Sequence, residues 1–342
     1  MPNRNHGQYI AAALDGLLNQ TVLPAEIWVV DDASTDYSRD IIAHYAARNS
    51  VIKPRLLPEC RGVIENMLTF LHNTDAEFVY FAASDDQIMP QLIEESLALL
   101  LRYPEAGLCS SLCRLMGEDG SDLGSFPSFV PPSQDGFISP ALTERLFLDF
   151  DSWIMGNTII YRRNHLLAAG CFDPSLQGFT DGFSARVIAL THGVTFAYNE
   201  LAYWRRLDMG FSSTTNSDPA CVHQVADETM LLMTTKHAKL FSPAYRKRWR
   251  GRWIYSAVNS CLNAGGNDPW PNIIKIMAPT STTDQLAIKL CLRVGKPGKF
   301  FFWIYIILRL RPIDIYGMLN ITLLKSWWRR RQISSRHGKA SN

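Results

Sequence analysis

The stretch PNRNHGQYIAAALDGLLNQTVLPAEIWVVDDASTD, residues 2–36, decides the fold of this chain. Its first half places apolar side chains at helical spacing over residues 6–20, which predicts an amphipathic helix. The apolar run EIWVV then stops abruptly at Asp31 and Asp32, which is typical of a buried strand that reaches the edge of a sheet. A helix followed by a short, continuously apolar strand indicates the α/β class.

The same alternation continues along the chain. A second apolar run, EFVYFA at residues 77–82, is followed by Asp85 and Asp86. Two further strand candidates, residues 158–161 and 194–198, flank a helix that starts near Asp181. We therefore predict an α/β domain with a mostly parallel central sheet over residues 1–210, a helical region over 211–295 and a basic, aromatic-rich tail over 296–342.

Composition excludes several classes of protein. With 342 residues, 47% of them hydrophobic and 19% charged, the chain is neither disordered nor a small disulfide-stapled domain. Its 34 Lys and Arg nearly balance 32 Asp and Glu, so the chain lacks the overall positive charge that would predict a nucleic-acid partner. Seven scattered cysteines, no secretory signal pattern and no apolar run of about 20 residues lead us to expect a cytoplasmic location.

Several common active-site motifs are missing from the sequence. We find no Walker phosphate loop, no G-x-G-x-x-G, no H-E-x-x-H and no G-x-S-x-G. Nucleotide binding by a Walker loop, dinucleotide binding, zinc proteolysis and serine hydrolysis therefore lack their usual sequence support. The remaining candidates for a functional site are the carboxylates that follow the predicted strands.

Two acidic pairs, Asp31-Asp32 and Asp85-Asp86, each follow an apolar strand. In an open parallel sheet the carboxyl ends of the strands lie along one edge, where ligands bind. The pairs would repel each other there unless a positive group lay between them. A divalent cation, Mg²⁺ or Mn²⁺, bound together with a nucleoside diphosphate would meet that need. The alternative is that these aspartates only form turns and helix caps.

The order and spacing of these segments resemble the inverting, GT-A-fold nucleotide-sugar glycosyltransferases of family 2, over roughly residues 2–205. The resemblance implies a nucleotide-sugar donor whose base and ribose are held by the loop Pro2–Asn5 and by Asp32, with Asp31 as its neighbour. The segment FAASDD is similar to the D-x-D-type motif of this family. By that likeness Asp85 faces the ribose, and Asp86 binds the metal ion on the diphosphate.

Asp181 stands at the position that resembles the family's catalytic acid, although Thr180 replaces the glutamate that usually precedes it. Transfer to a hydroxyl group needs a base that removes the proton as the oxygen attacks the anomeric carbon. One carboxylate suffices for one in-line displacement, so the resemblance implies inversion. The alternative is that Asp181 only caps a helix.

Other candidates are open to two interpretations. Arg205, in AYWRRLDMG, either pairs with the diphosphate of the donor or only packs against the protein and forms a surface salt bridge. Arg61 touches phosphate or is a solvated surface residue. Asp173 is interpreted as a turn residue and His192 as a surface residue at a helix end. No Q-x-x-R-W signature of processive synthases occurs, which favours the transfer of one sugar per binding event.

The chain departs from the family pattern at its beginning. The apolar strand that precedes the first loop in the family is missing, because Met1 stands directly before Pro2. We expect the upstream reading frame to encode it. A catalytically inactive sugar-nucleotide-binding or scaffold protein is one alternative function, and a sugar-nucleotidyltransferase is another.

The tail suggests a membrane partner. Residues 296–342 hold ten Lys and Arg and one acidic residue. An apolar run at 300–308 is too short to cross a bilayer, and Trp327 and Trp328 lie beside three arginines. This pattern predicts docking on an anionic membrane surface, peripheral on the inner face of the cell membrane, close to a glycan or polyprenyl-linked acceptor of surface polysaccharide synthesis. The alternative is that residues 300–324 pack on the body.

Overall fold

The computed structural model describes residues 1–126, 130, 134–149, 151–207, 210–263, 268–278 and 280–310. Over these residues the strands are β1 (Pro2–Asn3), β2 (Ile27–Asp32), β3 (Ile52–Leu57), β4 (Phe78–Tyr80), β5 (Gln87–Ile88), β6 (Leu108–Met116), β7 (Asp122–Phe126), β8 (Gly136–Ile138), β9 (Ile160–Arg162) and β10 (Val194–Arg205). The helices of the α/β part are α1 (Gly7–Leu18), α2 (Ser38–Arg48), α3 (Val63–His72), α4 (Leu92–Arg102), α5 (Pro140–Asp149), α6 (Arg163–Ala168) and α7 (Thr180–His192).

A mainly helical region follows β10, as the sequence predicts. Its helices are α8 (Phe211–Ser217), α9 (Pro219–Thr234), α10 (Pro243–Asn263), α11 (Trp270–Ile276), α12 (Thr282–Val294) and α13 (Lys296–Leu310). Two 3-10 helices, Gly156–Thr158 and Pro174–Phe179, lie in the α/β part. The first occupies the beginning of the strand predicted at residues 158–161.

The strands form two sheets. The first sheet has the order β1-β2-β3 and is entirely parallel. The second has the order β4-β9-β6-β10-β5, with β7 beside β6 and β8 beside β10. Its longest pairing, β6 with β10, is parallel, and the flanking pairings are antiparallel. The α/β architecture predicted from the sequence is confirmed.

The first strand is short but present. Pro2 and Asn3 pair in parallel with Val30 and Asp31 of β2. A cleft of about 840 Å³ opens beside them, and the residues that line it include Met1, Pro2, Trp28 and the segment 78–82. The cleft therefore separates the edge of β2 from the edge of β4.

The first helix and the first sheet share one apolar cluster. Ile10, Leu14 and Leu17 of α1 recur at helical spacing and are almost fully buried, together with Ile27 and Val29 of β2. Complete burial of one such side chain stabilises the fold by about 1.5–3 kcal/mol. This packing holds the loop before α1 beside the carboxyl end of β2, which is where the functional site lies.

The helical region and the α/β part share a second apolar cluster. Phe179, directly before α7, packs against Trp249 and Trp253 of α10, and Phe183 of α7 stacks on Phe241. The domain boundary proposed at residue 210 stays a prediction, because these contacts join both sides of it.

The last described helix has one buried and one exposed apolar face. Phe302 and Ile306 of α13 are fully buried, whereas Phe300, Ile304 and Leu308 are exposed. Part of the apolar run at 300–308 therefore packs on the body, as the alternative interpretation predicts. Trp327, Trp328 and the arginines beside them lie outside the described residues.

Candidate functional site

The carboxylate of Asp31 joins three segments at the end of β2. Its Oδ2 accepts a hydrogen bond of 2.9 Å from Asn3 Nδ2, and its Oδ1 accepts bonds from the Ser34 amide at 3.0 Å and Arg39 Nε at 2.7 Å. Burial alone would raise the pKa of Asp31, but the hydrogen bonds from Ser34, Arg39 and Asn3 outweigh it and lower the pKa. Asp31 is therefore ionised, and its hydrogen bonds hold these three segments together.

Asp32 fixes the loop before α3. Its two oxygens accept backbone hydrogen bonds from Arg61 at 2.8 Å and Gly62 at 2.9 Å. Burial would again raise the pKa of Asp32, but these bonds and one from Cys60 lower it. Arg61 is exposed, as its interpretation as a solvated surface residue predicts. Its backbone amide is the part that contacts Asp32.

The loop Pro2–Asn5 lies against the segment after β2. Asn5 adopts φ 55°, a left-handed conformation that asparagine tolerates. Its Oδ1 accepts a hydrogen bond of 2.8 Å from the Thr35 amide, and its own amide donates to Ser34 Oγ at 2.9 Å. The structure therefore brings Pro2, Asn5 and the Asp31-Asp32 pair together, as the sequence predicts.

The second acidic pair lies between β4 and β5. Asp86 is buried, and its Oδ1 accepts a hydrogen bond of 2.8 Å from the backbone amide of Arg205. Burial and the charge of Asp85 raise the pKa of Asp86 to about 8. Neither residue caps a helix, because α4 begins later, at Leu92.

Arg205 reaches this pair because β10 runs antiparallel to β5, with Tyr203 opposite Gln87. Its Nε donates to the Asp85 carbonyl at 2.8 Å, and its Nη1 donates to the carbonyls of Gly117 at 3.1 Å and Glu118 at 3.0 Å. The guanidinium also lies over the ring of Tyr9 at 4.5 Å. Arg205 therefore ties the acidic loop to β6 and α1.

Asp181 lies in the first turn of α7. The residue at the cap position is Phe179, and the Asp181 side chain accepts a hydrogen bond of 2.7 Å from the Gly182 amide. Asp181 is therefore not the N-cap that the alternative interpretation required. Burial raises the pKa of its carboxyl despite that hydrogen bond.

The 3-10 helix Gly156–Thr158 connects the two acidic positions. A Cβ added to Gly156 would overlap Oδ2 of Asp181. The next residue, Asn157, lies near Asp86. Its carboxamide opposes the rise in the pKa of Asp86 that burial and Asp85 cause. Asp86 and Asp181 therefore approach two neighbouring residues of one turn. Sequence reasoning missed this turn, since no motif or period distinguishes its residues.

A second missed contact joins the residue after the loop Pro2–Asn5 to the residue before Asp85. His6 Nδ1 and Ser84 Oγ are 2.8 Å apart. His6 follows the loop Pro2–Asn5, and Ser84 precedes Asp85. Their spacing in the sequence offers no signal of this contact.

The minor candidates lie where the sequence predicts. Asp173 accepts hydrogen bonds from the amide and hydroxyl of Ser175, which makes it a turn residue. His192 ends α7 and stacks on His165 with ring centroids 3.7 Å apart. Neither belongs to the site.

The residues present fit a divalent cation that is shared with a substrate. The described part of the chain contains no group of three or more His, Cys, Asp or Glu side chains arranged for a metal ion. However, burial and the neighbouring charge of Asp85 raise the pKa of Asp86, and a bound cation would favour its ionised form. Mg²⁺ typically takes only one or two protein carboxylates and completes its shell with phosphates and water. Asp85 and Asp86 satisfy that requirement.

None of the helices in the described ranges combines the length and the apolar character needed to span a bilayer.

The amino-terminal part of the chain is similar in sequence to a known protein family. Residues 1–122 match the family model described as glycosyl transferase family 2. An uncharacterised protein of Mycobacterium tuberculosis is 34% identical over 163 residues, which are 46% of this chain and 44% of that protein. TuaG of Bacillus subtilis, whose name assigns it to teichuronic acid biosynthesis as a glycosyltransferase, is 29% identical over 36% of this chain and 49% of its own. The chain spans less than half the length of these curated relatives.

A solved structure shares the fold. The mannosyltransferase PcManGT from Pyrobaculum calidifontis, in complex with GDP-Man and Mn²⁺, matches with a TM-score of 0.52 at 17% identity. The match covers 94% of this chain and 85% of that one. The GT-A fold predicted from the sequence is confirmed.

Proposed function

We propose, from the match of residues 1–122 to the model of glycosyl transferase family 2, that the chain is an inverting glycosyltransferase. It moves one sugar from a nucleotide-sugar donor, UDP-linked by default, to a hydroxyl group of an acceptor. The observation that carries the proposal is the turn Gly156–Thr158, which contacts Asp181 at its first residue and lies near Asp86 at its second. A metal-binding carboxylate and a catalytic carboxylate would need this proximity.

Asp181 is the proposed base. Its carboxylate takes the proton of the acceptor hydroxyl while that oxygen forms a bond to the anomeric carbon. The bond from the anomeric carbon to the diphosphate breaks, and the nucleoside diphosphate leaves with the electron pair. A single displacement from the opposite face inverts the anomeric centre. The raised pKa of Asp181 makes it a stronger base than an exposed aspartate.

Asp86 is the residue we propose to hold Mg²⁺ or Mn²⁺, with Asp85 beside it. Such an ion, when bound, stabilises negative charge on a departing diphosphate. Arg205 contributes by holding both aspartates in place through the Asp85 carbonyl and its own backbone amide. The structure of PcManGT, which has the same fold, is a complex with GDP-Man and Mn²⁺, which supports this assignment.

The base and ribose are assigned to the loop Pro2–Asn5 and the end of β2. Asp31 and Asp32 support it by holding the surrounding loops with hydrogen bonds. These bonds order the loops before a ligand binds, which reduces the conformational entropy lost on binding.

The acceptor is proposed to be a glycan or polyprenyl-linked saccharide of surface polysaccharide synthesis. The name of the relative TuaG supports this class. The surface of α12 and α13 supports a membrane location, peripheral on the cytoplasmic face. The exposed apolar side chains recur every four residues on each helix: Leu286, Leu290 and Val294, and Phe300, Ile304 and Leu308. With Lys289, Arg293 and Lys299 on the same helices, they suit an anionic interface.

A thermal-shift screen tests the central proposal. UDP, GDP and ADP are added with and without Mn²⁺, and the melting temperature is measured. Binding to the folded state at 100 times Kd stabilises by about 2.7 kcal/mol, so a specific nucleotide gives a clear shift. We expect UDP with Mn²⁺ to raise the melting temperature most. No shift with any nucleoside diphosphate would contradict the proposal.

A further inference from the structure

The carboxamide of Asn157 is an unexplained polar group between the two acidic positions. Both its Oδ1 and its Nδ2 are shielded from solvent, and neither makes a hydrogen bond of standard geometry with the described part of the chain. An asparagine side chain offers two donors and two acceptor sites. Buried groups of this kind are nearly always paired, because an unpaired one destabilises the folded state.

The position of this side chain is set by its surroundings. The Asn157 carbonyl accepts a hydrogen bond of 2.8 Å from the Tyr80 hydroxyl. Ser110 Oγ holds both ends of the turn, at 3.1 Å from the Met155 amide and 2.9 Å from Thr158 Oγ1. A rigid backbone with an unpaired carboxamide is typical of a ligand-binding group, since little order remains to be gained on binding.

We infer that the Asn157 carboxamide binds hydroxyl groups of the donor sugar; this inference rests on the proposed function. The Asn157 carboxamide lies near Asp86, which is assigned to the diphosphate, and the preceding residue, Gly156, lies against Asp181, which is assigned to the anomeric carbon. The sugar ring joins those two parts of the donor, so its place is beside Gly156 and Asn157.

The chemistry of an amide suits this role. Each sugar hydroxyl both donates and accepts a hydrogen bond, and the carboxamide carries a donor and an acceptor side by side. The group is neutral, so it adds no repulsion to a diphosphate that is already surrounded by carboxylates. A site that hydrogen-bonds a substrate hydroxyl discriminates strongly against analogues without it, because its own polar groups are then left unpaired. Asn157 is therefore a specificity-determining residue.

The test compares two ligands in each protein. Calorimetry first finds which of UDP-glucose, UDP-galactose, UDP-N-acetylglucosamine and GDP-mannose binds the wild type best with Mn²⁺. The affinity for that sugar nucleotide and for its nucleoside diphosphate alone is then measured in Asn157→Ala and in Asn157→Leu, which keeps the volume of the side chain and adds no charge. We expect the sugar nucleotide to bind at least tenfold more weakly and the nucleoside diphosphate to change less than twofold. Asn73→Ala, which removes an exposed amide at the end of α3, is the control.

Each other outcome decides against the inference. An equal loss for both ligands would show that Asn157 acts on Asp86 or the diphosphate instead. Unchanged affinities would show that it contacts neither. If the wild type binds no nucleoside diphosphate and no sugar nucleotide, the proposed function fails first, and the inference fails with it. The melting temperature of the free variants reports any loss of the contact with Asp86, and Asn157→Leu preserves the volume of the side chain without adding a charge should alanine disturb the turn.

Discussion

Gly156 lies so close to Asp181 that a single methyl group on its Cα would overlap Oδ2 of that carboxylate. Gly156 comes directly before Asn157, whose backbone carbonyl is bound by Tyr80, so the turn is not free to move away. The Gly182 amide holds the other oxygen of Asp181. A side chain at position 156 would therefore displace the proposed base rather than the backbone.

Gly156→Ala should lower turnover while leaving nucleotide binding intact. A displacement of about 1 Å at a reacting group costs on the order of 10²-fold in rate. Single-turnover kinetics and calorimetry on the same variant separate the two effects. Gly136→Ala is the matched control, because a Cβ there meets no atom within 4 Å. Equal turnover in both variants would contradict the placement of Asp181 at the reacting centre.

Asp181→Asn should retain donor binding and reduce turnover by roughly 10² to 10⁴, the usual contribution of a positioned base. Asparagine keeps the shape of the side chain but does not accept a proton at neutral pH. The measurement is product formation at saturating donor, alongside donor affinity. Loss of affinity with turnover per bound donor preserved would indicate a structural role for this residue.

Asp86→Asn should abolish Mn²⁺-dependent nucleotide binding and stabilise the ligand-free protein at pH 8. Because burial and Asp85 raise the pKa of Asp86 to about 8, the folded state binds more protons than the unfolded state between about pH 4 and pH 8. The free energy of unfolding of the wild type should therefore fall across that window as pH rises, and the variant should lack this fall. Urea unfolding at pH 5 and pH 8 measures it, with the exposed Asp75→Asn as control. Metal-dependent affinity that survives in Asp86→Asn would exclude Asp86 as a ligand.

Arg186→Met should destabilise the fold by about 3–5 kcal/mol, the usual effect of breaking a buried ion pair. Arg186 Nη2 lies 2.9 Å from Asp151 Oδ2, and Tyr245 of α10 donates to the same carboxylate at 2.6 Å. This network links α7, which carries Asp181, to the helical region. Urea unfolding of Arg186→Met and of Tyr245→Phe, in which the charge pair persists, should give the larger loss for Arg186→Met.

The same pair should make the fold sensitive to acid. Burial alone would raise the pKa of Asp151, but the charge of Arg186 and its hydrogen bonds lower it below the ordinary value. The stabilisation is then complete above about pH 4 and is lost as pH falls through the lowered pKa. Asp151→Asn should flatten this acid limb of the unfolding free energy. An unchanged limb would mean that other carboxylates, such as Asp31, account for the acid sensitivity.

Leu290→Glu and Phe301→Glu should abolish binding to anionic vesicles, because each places a charge in an exposed apolar face of α12 or α13. Flotation with phosphatidylserine-containing liposomes at low and high salt is the measurement. Leu101→Glu, on α4 and 66% exposed, is the matched control and should float like the wild type. A wild-type protein that fails to float at low salt would contradict the membrane proposal.

Much of the site could be predicted because the sequence patterns that indicate it are local. Asp32 and Asp86 each follow an apolar run, and a run of that kind specifies a buried strand whose end reaches the edge of the sheet. The spacing of Ile10, Leu14 and Leu17 specifies the face that α1 buries. These patterns depend on neighbours within a few residues, so the sequence carries them without knowledge of the fold.

The α/β class, the acidic strand ends and the position of Asp181 near the start of a helix can therefore be read from local sequence patterns. The fold is needed to see that Gly156 lies against Asp181, that Asn157 lies near Asp86, and that the Arg205 amide bonds Asp86. Such contacts join segments dozens of residues apart, and the packing of β10 against β5 and of α7 beside the turn creates them. Periodicity in a sequence reports which face of an element is buried, whereas it does not report which distant element covers that face.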